Sequence, residues 1–225
     1  MEADWAGQTR PTTPAIELDR GDVTSRPRQG TLHKSLGGTS VDELAVKLLL
    51  GGGIDSAALI PFYQNRGVAL RAVHFNYGQP SAVAERRAAR AICRHYKVPL
   101  VTHKLGISLA CESGEYRGRN ALLLMAAAGS EPSPSSVAIG IHAGAPYYDC
   151  SEAFLREINR LFDGYFGGTL PVEAPFVGFD KEGVCAFARE ADVPFDLTFS
   201  CERTSGAPCG ECLSCRDRIA CLERP

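Results

Sequence analysis

The chain has 225 residues, 44% of them hydrophobic and 22% charged. That length holds one full domain plus an appendage, and the composition excludes a wholly disordered, collagenous or coiled-coil protein. No apolar run approaches the ~18 residues of a membrane span, the first thirty residues lack a signal-peptide core, and a net charge of -2 excludes the broad basic surface of a non-specific nucleic-acid binder. A soluble, cytoplasmic protein without direct nucleic-acid binding is expected.

Residues 1–42 read as a flexible N-terminal arm. They are rich in Thr, Pro, Gly and Arg, show neither helical nor strand periodicity, and cannot repay the entropy of ordering by burial. Residues 43–196 then alternate apolar runs with amphipathic stretches. Ala45 to Leu50 reads as a buried strand ending in Gly51-Gly52-Gly53, and Ser56 to Asn65 as the helix after it, with Pro61 expected to kink it. Ala69 to Phe75 is a second strand, and Ala82 to Tyr96 a helix with apolar residues at i+4 spacing. Val98 to Lys104 is a third strand, Asn120 to Ala128 a helix, Val137 to Ile141 a fourth strand and Glu152 to Phe166 another helix. Asp180 is the expected N-cap of a last helix reaching Ala191. This alternation predicts an α/β fold, a doubly wound parallel sheet covered on both faces, with ligands beyond the carboxyl ends of the strands.

Gly51-Gly52-Gly53-Ile54-Asp55-Ser56 lies at that edge, between a strand and a helix start. Glycines there let backbone N–H groups approach a phosphate, and the positive end of the helix favours an anion. Asp55 can hold magnesium and Ser56 can donate to a phosphate oxygen. The spacing fits neither a Walker A loop nor the dinucleotide fingerprint. A glycine turn needed only for tight packing is the alternative reading.

Residues 197–225 form a third segment. Five of the nine cysteines fall in the last 25 residues, and Cys201, Cys209, Cys212 and Cys215 have the spacing of a tetrahedral zinc site. Four thiolates leave no open position, so the zinc is structural and folds a tail with few apolar residues. Disulfides or a catalytic thiol pair are the weaker readings, since no secretory signal precedes them. Cys221 lies outside the spacing, while Cys93, Cys111, Cys150 and Cys185 are expected as small buried thiols.

The glycine turn resembles the pyrophosphate loop, Ser-Gly-Gly-x-Asp-Ser, of the ATP pyrophosphatase superfamily, with Gly51 at the usual serine. Phe75-Asn76-Tyr77-Gly78-Gln79, Gly118-Arg119-Asn120, Gly140-Ile141, Tyr148-Asp149-Cys150, Asp180-Lys181 and the run from Leu197 through Cys215 to Arg218 narrow the likeness to one branch. Over residues 45–222 the chain resembles the 7-cyano-7-deazaguanine synthases of queuosine precursor synthesis. The resemblance implies an adenine nucleotide alpha hydrolase-like fold with a small C-terminal zinc-binding segment, and a carbon–nitrogen ligase. Such an enzyme uses ATP with magnesium to adenylate the carboxylate of 7-carboxy-7-deazaguanine, which ammonia converts to the amide and a second ATP to the nitrile. It further implies a homodimer. On this likeness Leu50, Gly51, Gly52, Gly53, Ile54, Asp55, Ser56, Phe75, Tyr77, Gln79, Arg119, Asn120 and Gly140 bind ATP. Asp55, Ser56, Arg119, Asp149 and Lys181 carry the chemistry, and His142, Tyr148 and Asp149 face the deazaguanine. For His74 and His142 a hydrogen-bonded structural role is the favoured reading over acid or base chemistry.

The departures from the family pattern cluster near the substrate. Only Gly106 to Arg117 joins the third strand to Gly118, where the family carries a longer loop. Pro80-Ser81 replaces Arg-His, and Ser151 replaces a terminal arginine. Two alternatives therefore stand beside the conventional synthase. One is an enzyme that passes the activated deazaguanine to an amine of a partner protein, as part of a bacterial antiviral defence system, since relatives of this synthase also occur within antiviral gene clusters. The other is a non-catalytic nucleotide-binding scaffold.

Overall fold

The computed structural model describes residues 45–107, 109, 111 and 115–223. The expected N-terminal arm lies outside them, as does part of the short connection after the third strand. Five parallel strands, β1 (Val46–Leu49), β2 (Leu70–Asn76), β3 (Leu100–Lys104), β4 (Ser136–Ala138) and β5 (Val172–Glu173), form one sheet in the order β3-β2-β1-β4-β5. The helices are α1 (Ile54–Gln64), α2 (Ala82–Tyr96), α3 (Arg119–Ala128), α4 (Glu152–Phe166), α5 (Lys181–Glu190) and α6 (Leu213–Glu223).

The period of two in β1 decides which helices go where. Val46, Leu48 and Leu50 face one core with Leu59 and Ile60 of α1, Ile92 of α2, and Val184 and Ala188 of α5. Leu49 faces the other core, with Leu124 of α3 and Phe154, Ile158 and Phe162 of α4. A strand buried on both faces has no room for a charge unless that charge is satisfied. Lys47 meets the condition. Its Nζ donates to Ala127 O at 2.9 Å, Ser130 O at 2.5 Å and Ser130 Oγ at 3.0 Å, so it supplies carbonyls at the end of α3 with a cationic donor. Burial lowers its pKa.

Most elements fall where the pattern placed them, and Asp180 does cap α5, accepting from Gly183 N at 2.8 Å. Pro61 lies inside α1, which continues to Gln64. Four features depart from expectation. β4 stops at Ala138, because the chain after it turns into the glycine segment rather than extending the ladder. β5 is two residues that pair with β4 and exchange hydrogen bonds with Asn159 of α4, too short to show a period. α6 forms within the cysteine-rich tail. It packs on α5, where Cys221 meets Cys185 in a disulfide with Cα atoms 5.5 Å apart. Cys111, expected buried, is exposed on the short connection.

Candidate active site

β1 is the central strand, paired with β2 on one side and β4 on the other. The chain thus changes direction across the sheet at β1, and a crevice opens at the carboxyl ends of the strands there. Residues 51–53 turn the chain from β1 into α1. The three glycines are not equivalent. A side chain on Gly51 would meet nothing within 4 Å, whereas Gly52 has φ +92° and its Cβ would lie 2.8 Å from Glu85 O on α2. Gly53 is the N-cap of α1 and offers no side chain to the first N–H groups, which leaves those donors for a ligand. Gly140, just after β4, supports the same turn from below. A Cβ there would fall 2.9 Å from Asp55 C, Asp55 O and Ser56 N.

Charged groups converge on this turn from three elements. Lys181 Nζ, at the start of α5, donates to Asp55 Oδ1 at 2.5 Å, and His142 Nε2 lies 3.7 Å from Asp55 Oδ2. His142 Nδ1 accepts from Gly144 N at 3.1 Å, which sets the tautomer with the proton on Nε2, toward Asp55. Burial depresses the His142 pKa, and the Lys181 charge adds to that, while Asp55, Asp217 and Asp180 oppose it. Arg119 opens α3 and lies against the Tyr77 hydroxyl, with Asp149 as a further charge neighbour. Burial is the first cause that raises the Tyr77 pKa. Leu50, Gly51, Gly53, Ile54, Asp55, Ser56, Phe75, Tyr77, Arg119, Asn120, Gly140, His142 and Lys181 all border the crevice.

The other expected site residues do not border it. Gln79 is buried; its Oε1 accepts from Tyr77 N at 2.9 Å and its Nε2 donates to Glu85 Oε2 at 2.7 Å, which fixes the turn after β2. Gly52 is covered by α2 and by the tail, its carbonyl accepting from Phe199 N at 2.8 Å. Asp149 is buried in a short 3-10 turn, Tyr148–Cys150, where its Oδ2 accepts from Asn120 N at 3.4 Å and its carbonyl from Asn120 Nδ2 at 3.1 Å. It therefore caps the start of α3 and holds Arg119 and Asn120 in place. Tyr148 is 62% exposed, its ring edge-on to Phe154 at 5.9 Å, and the neighbouring Tyr147 lines the crevice instead. His74 is fully buried, its Nδ1 donating to Leu50 O at 3.0 Å, as a structural histidine would.

The cysteine segment supplies a wall that its spacing did not announce. The Sγ atoms of Cys201, Cys209, Cys212 and Cys215 all lie within 4.8 Å of one another, and Cys209 and Cys215 are 3.9 Å apart. Four Zn–S bonds of about 2.3 Å in a tetrahedron would set the sulfurs about 3.8 Å apart, so this donor set fits zinc. Cys212 N donates to Cys209 Sγ at 3.4 Å, an amide contact that favours a thiolate. With Glu211 N it lowers the Cys209 pKa to about 6. Between and beside these ligands, Phe199, Ser200, Glu202, Ser214 and Asp217 face the crevice. Ser205 Oγ meets Val83 N and Ala84 N at 3.3 and 3.4 Å and donates to Pro80 O, covering the start of α2. Sequence reading passed over these residues because a metal ligand is recognisable by its spacing and its neighbours are not.

Residues 45–116 and 113–224 match the family model described as queuosine biosynthesis protein QueC. The chain belongs to the QueC family. It is 29% identical over 205 residues to the 7-cyano-7-deazaguanine synthase of Persephonella marina, covering 78% of this chain and 90% of that protein. With the Aquifex aeolicus synthase it shares 30% over 209 residues, 78% of this chain and 94% of its relative. The Archaeoglobus fulgidus synthase is 30% identical over 202 residues, 76% and 82% respectively. Among the described residues, no helix of this family member is long and apolar enough to cross a membrane.

Proposed function

We propose that the protein adenylates the carboxylate of 7-carboxy-7-deazaguanine with ATP and carries it through the amide to the nitrile. The reading is carried by one observation: the glycine turn at 51–53, Asp55, Lys181 and Arg119 converge on a single crevice at the carboxyl edge of the sheet. Relatives named 7-cyano-7-deazaguanine synthase, matched over most of their length, support it.

A carboxylate resists attack by an amine until one of its oxygens becomes a good leaving group. In the first step that oxygen attacks the α-phosphorus of ATP and expels pyrophosphate. Backbone N–H groups at the start of α1 and the Ser56 hydroxyl hold the pyrophosphate. Lys181 and Arg119 neutralise charge as it grows on the phosphate oxygens. Magnesium, for which Asp55 is the carboxylate at the loop, would supply further neutralisation of the phosphates. Lys181 therefore has two tasks: it balances Asp55 in the free enzyme and turns to phosphate when ATP arrives. Ammonia then displaces AMP to give the amide. In a second round the amide oxygen attacks ATP, and departure of AMP with loss of the remaining N–H protons leaves the nitrile. His142, buried and held neutral with its Nε2–H toward Asp55, orients that carboxylate rather than taking a proton itself.

The short connection from Gly106 to Arg117 favours a second reading, in which the adenylate is passed to an amine of a partner protein, because a crevice with less cover admits a larger nucleophile. One set of assays separates the readings. Purified protein is incubated with ATP, magnesium, 7-carboxy-7-deazaguanine and ammonia, with AMP, amide and nitrile measured, then with co-expressed proteins whose intact masses are recorded. Nitrile is the expected product. A mass gain on a partner in place of nitrile establishes transfer, and absence of AMP in both assays leaves only the nucleotide-binding scaffold.

A further inference from the structure

We propose that Glu202 reads the aminopyrimidinone edge of the substrate: its carboxylate, braced by Ser214, accepts the ring N1–H and exocyclic amino hydrogens of a 7-deazaguanine whose own carboxylate points toward Arg119 and Lys181. The inference rests on the proposed function and adds to it the residue that selects the base.

A 7-carboxy-7-deazaguanine is polar at both ends in opposite senses. One end is an anion and needs cations. The other presents two neighbouring N–H donors, for which a carboxylate, an acceptor at both oxygens, is the matching side chain. The crevice holds cations on the side of Arg119 and Lys181, so the question is which carboxylate remains available for the other end.

Most are already committed. Asp55 holds Lys181 on Oδ1 and faces His142 with Oδ2. Glu85 accepts from Ser81 Oγ at 2.6 Å on Oε1 and from Gln79 Nε2 at 2.7 Å on Oε2. Asp149 caps α3. Asp217, on α6, also lines the crevice, but no hydrogen bond among the described residues holds its carboxylate in place. Glu202 alone is held on one oxygen, Oε1 accepting from Ser214 Oγ at 2.5 Å, while no donor among the described residues meets Oε2. Its negative charge acts on Tyr147, on the connection between β4 and α4. Glu202 thus lines the same crevice as the aromatic ring of Tyr147. An aromatic face and a carboxylate at its edge are what a flat heterocycle with donor groups requires.

The mounting is rigid as well as chemically suited. Glu202 follows the zinc ligand Cys201, and Ser214 precedes the ligand Cys215, so the metal site fixes both partners of the 2.5 Å bond. An acceptor held in place before the ligand arrives loses little freedom on binding and rejects a base that lacks the donor.

The test compares wild type with Glu202→Gln. Equilibrium binding of 7-carboxy-7-deazaguanine and of its analogue lacking the exocyclic amine is measured by calorimetry, alongside AMP release with each. Wild type should prefer the amine-bearing ligand by about 100-fold or more, since losing the amine leaves the Glu202 carboxylate, covered by the bound base, without its donor. Glu202→Gln should bring the ratio below about 10 by weakening the amine-bearing ligand, with KM for ATP and zinc content unchanged. Ser214→Ala should lie between. A variant that keeps the wild-type ratio overturns the assignment, as does a rise in KM for ATP, which would place Glu202 at the nucleotide. Wild type that binds with the expected preference yet releases no AMP supports the base-reading role and refutes the reaction. Wild type that binds neither ligand refutes both.

Discussion

Gly140→Ala tests whether the pyrophosphate turn depends on the strand beside it. The added methyl would sit 2.9 Å from three backbone atoms, Asp55 C, Asp55 O and Ser56 N, whereas ordinary contact begins at 3.4 Å. At least 0.5 Å must be recovered, and no flexible side chain can give it, so the first turn of α1 or the end of β4 moves. Overpacking of this kind costs about 1–3 kcal/mol. The displacement falls on the very atoms that carry Asp55 and the free N–H groups. Since a misplacement of about 1 Å can cost 10²-fold in rate, ATP affinity should fall about 10-fold or more, beyond what lost stability explains. Urea unfolding gives the first quantity, and calorimetric titration of the folded protein with a non-hydrolysable ATP analogue the second. Gly51→Ser is the paired control. Nothing lies within 4 Å of its Cβ, so stability should stay within about 0.5 kcal/mol, and the added hydroxyl should leave ATP affinity equal or higher. If Gly140→Ala matched wild type in both measurements, the close approach of β4 to the turn would not constrain the site.

Three further outcomes follow from particular contacts. Cys212→Ser should abolish stoichiometric zinc, measured by elemental analysis. It should also weaken ATP binding, because Phe199 N on Gly52 O ties the tail to the turn; a metal-free variant with wild-type ATP affinity would show the tail to be independent of the site. Lys47→Met keeps the apolar stem but strands the carbonyls of Ala127 and Ser130. It should cost about 1–3 kcal/mol in urea unfolding, and a loss under about 0.5 kcal/mol would mean that water serves those carbonyls equally well. His142, with its pKa depressed by burial, binds fewer protons folded than unfolded near its ordinary value of about 6.5. Its contribution to stability is therefore present above about pH 6.5 and lost as pH falls toward the depressed folded value. His142→Gln should flatten the decline of the urea midpoint between about pH 7 and 5, though not abolish it, since His74 is depressed in the same sense; an unchanged slope would show that His142 does not titrate as buried.

The elements legible in advance were those with a strong local code. α2 and α4 carry apolar residues at helical spacing, Asp180 announces α5 by its capping side chain, and β1 is a continuous apolar run. β5 and α6 lack such a code. Two residues cannot display a period, and α6 owes its burial to Cys215 and Cys221 packing on other segments rather than to an apolar stripe of its own. The site divides in the same way. Asp55, Arg119 and Lys181 sit in motifs at fixed offsets, but Tyr147 against Tyr148 could not be decided from the dipeptide. Which tyrosine faces inward depends on the 3-10 turn beginning at Tyr148.

By itself the sequence determined a parallel α/β sheet with a glycine turn after its first strand, and four cysteines spaced for one metal ion. Those features are local: strand period, turn chemistry and ligand spacing are written in neighbouring residues. Only the tertiary structure decided that the cysteine segment at the end of the chain folds back to wall the crevice opened by β1 near its start. It also decided that Asp149 and Gln79 support the site from behind and that Glu202 and Ser214 face into it. The physical reason is that a side chain's role there depends on which backbone lies across from it. Phe199 on Gly52, Ser205 on the start of α2 and Asn120 on Asp149 are meetings between residues 29 to 147 positions apart, and no pattern in either partner encodes them.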